Sequence, residues 1–396
     1  MPAPQHPLIY IIAGEPSGDL LGGRLMAGLK ARTGGAVRFA GIGGESMRAE
    51  GLDSLFPMAE LSVMGLVEVL PRIPRILKRL DQTLADIGAR RPDAIVTIDS
   101  WGFTGRVQKR VQKQFPGIAR IHYVAPMVWA WKPKRTKKLA AVLDMLMTLL
   151  PFEPPWFEKE GLKTLHVGHP VIESGAEAGD GVGFRSRHGI AANAPVLVAL
   201  PGSRHSETGR LLPVFAETVE LLAARQPGLT VVVPTVETVA ETVRQAAAGW
   251  ALPAIVVEGR QEKIDAFAAG TVGLAASGTV ALELALAGLP TIITYKVAPL
   301  SAFVATRFLG LGKTLKWVTL VNIVMDAAIM PEFLQDACTP DRLAGEVERL
   351  LGDPAARETM RTGMREAMLR LGWGGESPSA RAADAVLTFI AERSAN

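Results

Sequence analysis

What most constrains this chain is a rhythm that runs through it twice. Short β-rich apolar runs end in turns rich in Gly, Pro or Asp, and each turn leads into residues with helical spacing. Residues 8–13 (LIYIIA) lead through Gly14-Glu-Pro-Ser-Gly-Asp19 into a helical pattern over 20–31. Residues 37–42 are a second run, followed by Gly43-Gly44 and a short helical stretch over 45–50, and residues 92–99 and 119–124 supply two more. The pattern restarts after 174–183, a small-residue stretch with acidic punctuation that reads as a linker. There residues 195–200 are a buried strand, Pro201-Gly-Ser-Arg204 a turn and 207–224 a helix, and further strands are expected at 229–234, 254–258, 270–275 and 291–295. Strands alternating with helices dictate parallel sheets covered on both faces, since a crossover between parallel neighbours is long enough to hold a helix.

The expected fold class is therefore α/β, with two Rossmann-like, doubly wound domains over 1–175 and 184–345. At 396 residues the chain exceeds the size at which one core usually stops growing. LIYIIAGEPSGD and VLVALPGSRHSE are alike in pattern and not in identity, so they imply two like-built domains and no sequence repeat. Residues 346–396 read as a helical segment broken near Leu351-Gly-Asp-Pro354 and Gly372-Trp-Gly-Gly375. Whether that segment packs on the first domain or on a partner chain is left open by the pattern. Ligands of open parallel sheets sit beyond the C-terminal strand ends, so two such domains facing each other are expected to make a cleft.

Composition narrows the chemistry. The single Cys338 excludes an intramolecular disulfide, and the scattered His suggest no metal site; of these only His166 and His169 have helix-like spacing, and Gly168 and Pro170 favour a turn there. The first residues lack the basic segment and long apolar core of a secretory signal, and the longest charge-free apolar run, 266–282, is interrupted by Gly270, Gly273 and Gly278. No exported or membrane-spanning segment is expected. Net charge is +4, yet the pI of 9.2 and local basic clusters suggest contact with something anionic.

Four stretches are candidates for function. In AASGTVALELALAGLP (275–290), read as strand, turn and helix, the N–H groups of Ser277, Gly278 and Thr279 fall at a helix N-terminus, where unpaired donors and the peptide dipoles attract anions. Gly278 lets a phosphate approach closely, and Glu283 follows one turn later, where a carboxylate can take two ribose hydroxyls. A nucleotide diphosphate site and a plain capped helix both satisfy that pattern. Gly202, Ser203 and Arg204 end a strand just before a helix; Arg204 there suits a diphosphate, or else pairs with Glu207 on the surface. Asp99 ends an apolar strand, in the position of a general base or of a helix cap. Residues 61–70 (LSVMGLVEVL, with Val63, Met64, Leu66 and Val67) precede a segment in which Arg72, Arg75, Lys78 and Arg79 interleave with Ile73, Ile76, Leu77 and Leu80. That combination fits an interfacial helix on anionic lipid, or a buried helix with a solvated basic edge. HYVAPMVWAW (122–131) is followed by Lys132, Lys134, Arg135, Lys137 and Lys138, but no nucleic-acid-binding signature accompanies it, and no nucleic-acid partner is expected.

AGEPSGD at 13–19, MGLVEVL at 64–70, the Ile98-Asp99 pair, HYVAPMVWAW at 122–131, LPFE at 150–153, VGHP at 167–170, LPGSR at 200–204 and ASGTVALE at 276–283 together resemble the lipid A disaccharide synthases. These are inverting glycosyltransferases of outer-membrane lipid biosynthesis. The resemblance covers most of the chain and rests on the order and spacing of the motifs. It implies a GT-B architecture with the donor nucleotide held mainly by the C-terminal domain. By position, Asp99 matches the family's proposed base, Arg204 its diphosphate-binding Arg and Glu283 the acid of its nucleotide motif. Glu15 and Ser17 in AGEPSGD, Asn322 in VTLVNIV, and Glu332 and Gln335 in PEFLQDACTP are further cleft candidates. Two departures stand out: Ser100-Trp101-Gly102-Phe103 replaces a frequent Pro-Asp-Phe, which removes a second acid near Asp99, and Val321 stands where relatives often have Pro.

The implied reaction joins UDP-2,3-diacylglucosamine to 2,3-diacylglucosamine 1-phosphate, giving a β-1,6-linked disaccharide and UDP. No cofactor and no metal are expected. The implied partners are the acylated glucosamine substrates and the cytoplasmic face of the inner membrane as a peripheral contact; the family includes dimers, and whether this chain forms a homodimer is left open. Two other readings stay open: another UDP-sugar enzyme of the same build, such as a UDP-sugar 2-epimerase or another UDP-GlcNAc transferase, and a non-enzymatic basic binding protein.

Overall fold

The computed structural model describes residues 6–61, 73–131, 134–296 and 316–395. They fall into two compact units, Met1–Pro170 with Gly374–Asn396, and Val171–Trp373.

The first unit is built on six parallel strands, β1 (Leu8–Ala13), β2 (Arg38–Ile42), β3 (Ala94–Ile98), β4 (Ala119–Tyr123), β5 (Met145–Thr148) and β6 (Lys163–His166), in the order β2-β1-β3-β4-β5-β6. β1 is buried throughout, and its side chains alternate between two cores. Ile9, Ile11 and Ala13 join one, which also takes up Leu25 and Leu29 of helix α1 (Pro16–Thr33). Leu8, Tyr10 and Ile12 join the other, with Leu80, Leu84 and Ile87 of α2 (Ile73–Arg90) and Val107 and Val111 of α3 (Trp101–Gln114). That two-fold alternation is why the strands read as unbroken apolar runs. Sequence reasoning missed β5 and β6. β5 (MLMT) has four residues and no valine or isoleucine, and β6 (KTLH) is an edge strand whose Lys163 and Leu165 face outward.

The second unit repeats the plan with β7 (Val196–Leu200), β8 (Thr230–Thr235), β9 (Ala254–Glu258), β10 (Val272–Ala276), β11 (Thr291–Tyr295) and β12 (Glu332–Leu334), in the order β12-β11-β10-β7-β8-β9. Its helices include α4 (His205–Arg225), α5 (Arg260–Ala269) and α6 (Val280–Leu286). β12 is a short three-residue edge strand that the sequence pattern did not reveal.

The chain crosses between the units late. Helices Pro340–Gly352 and Pro354–Arg370 stay with the second unit, and helix Pro378–Ala395 returns to the first. There Ala382, Ala383, Val386 and Ile390 enter the α1-side core, and a Cβ on Gly28 would stand 2.9 Å from the Ser379 carbonyl, so the two helices touch backbone to backbone.

Residues 174–183 do not hang free as a linker. Asp180 donates its N–H to Asp265 Oδ1 at 2.9 Å, and Cβ atoms on Gly179 and Gly181 would fall 2.3 and 2.5 Å from the carbonyl oxygens of Ile264 and Ala268. The small residues are there for close packing on α5.

Each sheet reverses its winding once, between β1 and β3 in the first unit and between β7 and β10 in the second. At such a point neighbouring strands send their chains to opposite faces, leaving a crevice beyond the strand ends.

Candidate functional site

The second crevice is a cavity of about 280 Å³. Gly202, Ser203 and Arg204 line it from the loop after β7, Ser277, Gly278 and Thr279 from the loop after β10, and Glu283 from α6. Pro234, Thr235 and Val236 at the end of β8 form another wall, and Glu207 and Lys263 add charge.

The local geometry explains several residue types. Gly202 has φ +118°, and a Cβ on it would lie 2.5 Å from Glu207 Cβ, so only glycine fits. Glu207 accepts the Ser203 N–H at 2.9 Å and pairs with Arg204 Nη1 at 3.0 Å. The surface pair offered as an alternative for Arg204 is therefore present in a residue that also lines the cavity. With the Arg204 side chain 68% exposed, such a pair is worth about 0–1 kcal/mol, little obstacle to a more highly charged anion.

After β10 one expectation needs correction. Ser277 N–H is not a free anion donor, because it extends the sheet by donating to Thr294 O at 2.8 Å. The N–H groups of Gly278 and Thr279 have no hydrogen-bond acceptor among the described residues. A Cβ on Gly278 would meet no atom of the described residues within 4 Å. Glu283 is held by Lys263 Nζ at 2.9 and 3.1 Å. A carboxylate offers about four acceptor positions, so the ion pair leaves capacity for ligand hydroxyls. Lys263 escaped sequence reasoning, since it sits in an ordinary helical pattern and only strand order brings it to the cavity, and Glu207 entered that reasoning only as a surface partner for Arg204.

At the first crevice, Glu15 precedes α1 and Asp99 and Ser100 follow β3. Ser100 Oγ donates to Glu15 Oε1 at 3.3 Å, and a Cβ on Gly14 would lie 2.9 Å from the same hydroxyl. Asp99 and Ser100 both adopt left-handed backbone, φ +47° and +45°, and so does Val124 at the end of β4, φ +79°. Non-glycine residues held this way cluster at functional sites. Asp99 does not cap α3: the N-cap is Ser100, with no side-chain bond, and the exposed Asp99 carboxylate has no partner among the described residues. The acid that does cap is Asp19, buried and accepting the N–H groups of Gly44, Ser46 and Met47 at 2.6–3.1 Å. Ser17 is exposed in the first turn of α1.

Beneath the Asp99 turn lies a buried polar group. Thr97 Oγ1 and His122 Nδ1 are 2.8 Å apart, Gln108 Nε2 donates to Thr97 Oγ1 at 2.9 Å, and Trp101 packs edge-on to the His122 ring at 4.8 Å. Burial pushes the His122 pKa down to about 3, so the ring is neutral. Glu153 of LPFE is also buried and receives Trp129 Nε1–H at 3.2 Å and the Leu150 N–H at 3.1 Å; burial pushes its pKa up to about 7.

Other expected positions have local duties. Asn322 is fully buried, gives its amide hydrogens to Met330 O (2.8 Å) and Glu332 Oε1 (2.9 Å), and accepts the N–H groups of Ile329 and Met330. Glu332 also accepts the N–H groups of Val318 and Thr319. Their polar capacity is largely spent on closing the 318–332 loop, and neither lines the cavity of the second crevice. Gln335 is half-buried after β12 with φ +50°.

Val63, Met64, Leu66, Val67 and Arg72 lie outside the described residues. Arg75 is exposed near the start of α2, whereas Arg79 is committed inward: it forms a two-point pair with Glu60 at 2.9 and 2.6 Å and lies over the Phe56 ring. Among the described residues no three His, Cys, Asp or Glu are grouped to hold a metal ion, and no helix is long and apolar enough to cross a membrane.

The family model described as lipid-A-disaccharide synthetase matches residues 9–376. The lipid-A-disaccharide synthase of Paramagnetospirillum magneticum is 68% identical over 383 residues, 97% of either chain. That of Rhodospirillum centenum is 55% identical over 386 residues, 98% of this chain and 95% of the relative. Among solved structures, UDP-GlcNAc 2-epimerase from Neisseria meningitidis bound to UDP-GlcNAc superposes with TM-score 0.60 at 12% identity, covering 98% of this chain and 100% of that one. MurG of Acinetobacter baumannii does so with TM-score 0.57 at 16% identity, with the same coverage. At those identities the solved structures share the fold alone, which is the GT-B class. The close relatives match along nearly the whole chain, through both sheets and both crevices, and on that ground the chain belongs to the lipid-A-disaccharide synthase family of glycosyltransferases.

Proposed function

We propose that the protein transfers diacylglucosamine from its UDP carrier to the 6-hydroxyl of 2,3-diacylglucosamine 1-phosphate, with inversion, and that Asp99 is the base. The acceptor oxygen attacks the donor's anomeric carbon as the bond from that carbon to the diphosphate breaks; the hydroxyl proton goes to Asp99 and the electron pair leaves with UDP. The observation that carries this reading is the cavity between the β7 and β10 loops, where an Arg, two unpaired N–H groups and an oriented carboxylate converge. In that reading Glu283 takes the ribose hydroxyls, and Arg204 with the N–H groups of Gly278 and Thr279 stabilises the charge that develops on the leaving diphosphate. The Asp99 carboxylate, without a partner among the described residues and on a left-handed turn, supports its role as base.

We further infer a peripheral association with the inner membrane's cytoplasmic face. α2 carries one apolar stripe, Ile73, Leu77, Leu80, Leu84 and Ile87, whose last three members are buried while Ile73 and Leu77 remain 37% and 41% exposed beside Arg75 and Lys78. An apolar edge flanked by cations suits an anionic lipid surface.

Incubation with UDP-diacylglucosamine, with and without the acylated monosaccharide phosphate, and mass analysis of the products tests the reaction. Acceptor-dependent disaccharide and UDP are expected. UDP-sugar isomerised without acceptor would replace this reading with an epimerase, and no consumption of either substrate would refute it.

A further inference from the structure

A second cavity, of about 190 Å³, opens on the same edge of the second sheet and shares Arg204, Glu207, Ala276 and Ser277 with the first. What is new in it includes two cations, Arg210, in the second turn of α4, and Lys296, just after β11, together with Ser206, Leu211 and Tyr295. Of the three cations that line it, Arg204 is paired with Glu207. Arg210 donates to the neutral Ser206 carbonyl, and neither Arg210 nor Lys296 has a carboxylate partner among the described residues. Among the described residues the lobe therefore holds two uncompensated positive charges. Arg204 also stands at the N-cap of a 21-residue helix, the end where the peptide dipoles disfavour cations. The Glu207 carboxylate answers Arg204, and an anion in the lobe would answer Arg210 and Lys296 as well.

We propose that Arg210 and Lys296 build a second anion subsite, contiguous with the nucleotide cavity, that takes a phosphate group of one of the substrates. Two sources offer that chemistry: the distal phosphate of the donor's diphosphate and the phosphate on the acceptor sugar. The inference rests on the glycosyl-transfer reading, and its arms separate the two sources.

The variants are Arg210→Ala, Lys296→Ala and the pair, with Arg210→Lys as the conservative control. Binding of UDP and of uridine is measured by calorimetry, and the KM of the acceptor is compared with that of the same acylated sugar lacking its phosphate. If the subsite holds the diphosphate, each alanine variant weakens UDP about tenfold or more, the scale of one lost hydrogen bond to a charged group, and leaves uridine unchanged. If it holds the acceptor's phosphate, UDP affinity is unchanged, the acceptor KM rises about as much, and preference over the dephosphorylated sugar shrinks. Arg210→Lys, which keeps the charge, retains most of the wild-type binding in either case. UDP affinity and acceptor preference both unchanged in the double variant, with a wild-type melting temperature, would overturn the subsite while leaving the functional reading intact. A wild-type protein that binds UDP but makes no disaccharide would instead sink the functional reading, and the UDP-against-uridine arm would still decide whether this lobe holds a phosphate.

Discussion

Replacing Asp99 by Asn isolates the chemical step. Asp99 has φ +47°, a conformation that Asn adopts about as readily as Asp and that β-carbon crowding makes costly for most residues. Its carboxylate has no partner among the described residues, and its N–H, which donates to Tyr123 O at 3.0 Å, is untouched by the change. Asp99→Asn should therefore keep the wild-type melting temperature. Asp99→Ala, which forces alanine into the left-handed region, should cost about 1–2 kcal/mol of stability. Asp99 belongs to the first unit and every residue lining the nucleotide cavity to the second, so the affinity for UDP should be unchanged in both variants. Turnover should fall about 10²- to 10⁴-fold in both, the usual worth of a positioned general base. At about 1.36 kcal/mol per decade, that is about 3–5 kcal/mol of barrier. The assay is initial-rate UDP release with both acylated substrates, together with calorimetric UDP binding and thermal melts on the same preparations. Turnover within a few-fold of wild type in Asp99→Asn would refute the assignment. Equal loss of turnover and UDP affinity would show that the residue acts on binding instead.

Three further outcomes are expected. Gly202→Ala places a Cβ 2.5 Å from Glu207 Cβ at φ +118°, so UDP affinity should drop at least tenfold and stability by about 1–3 kcal/mol; a calorimetric titration matching wild type would contradict this. Charge reversal at Arg75 and Lys78 should weaken sedimentation with anionic liposomes in a salt-sensitive manner, while Arg79→Ala should lower the melting temperature and leave liposome binding alone, because Arg79 is bound to Glu60. Glu153 is buried, with its pKa raised to about 7, so the folded protein holds a proton that the unfolded chain releases above about 4.5. Its contribution to stability is thus fully present below the unfolded value and is lost as pH rises through about 7. Denaturant titrations from pH 5 to 8 should show Glu153→Gln gaining on wild type as pH rises, and parallel curves would count against the buried acid.

Much of the fold was legible because its signals are local. LIYIIA, VLVAL and VGLAA are apolar runs that end in turn residues, and alternation with helical spacing leaves few arrangements besides two parallel sheets. The loops after β7 and β10 were legible for the same reason: Gly202 and Gly278 mark turns, and the residues beside them are carried to a strand end. Of the edge strands, β2 and β9 were legible, whereas β6 and β12 were not, since they are short and only half covered, so packing imprints little periodicity on them.

By itself, then, the sequence determined the strand–turn–helix units, their pairing into two like-built halves, and the residues that stand at the strand ends. Tertiary structure alone decided what each charged or polar group does there. It took Ser277 N–H for the sheet, tied Arg79 to Glu60, spent Asn322 and Glu332 on a loop, turned Gly179 and Gly181 from a linker into a packing surface, and brought Lys263 to Glu283. The physical reason is one of range: periodicity and turn chemistry act among residues a few positions apart. The partner of a side chain depends on strand order, which joins β7 to β10 across two intervening strands and so creates the cavity.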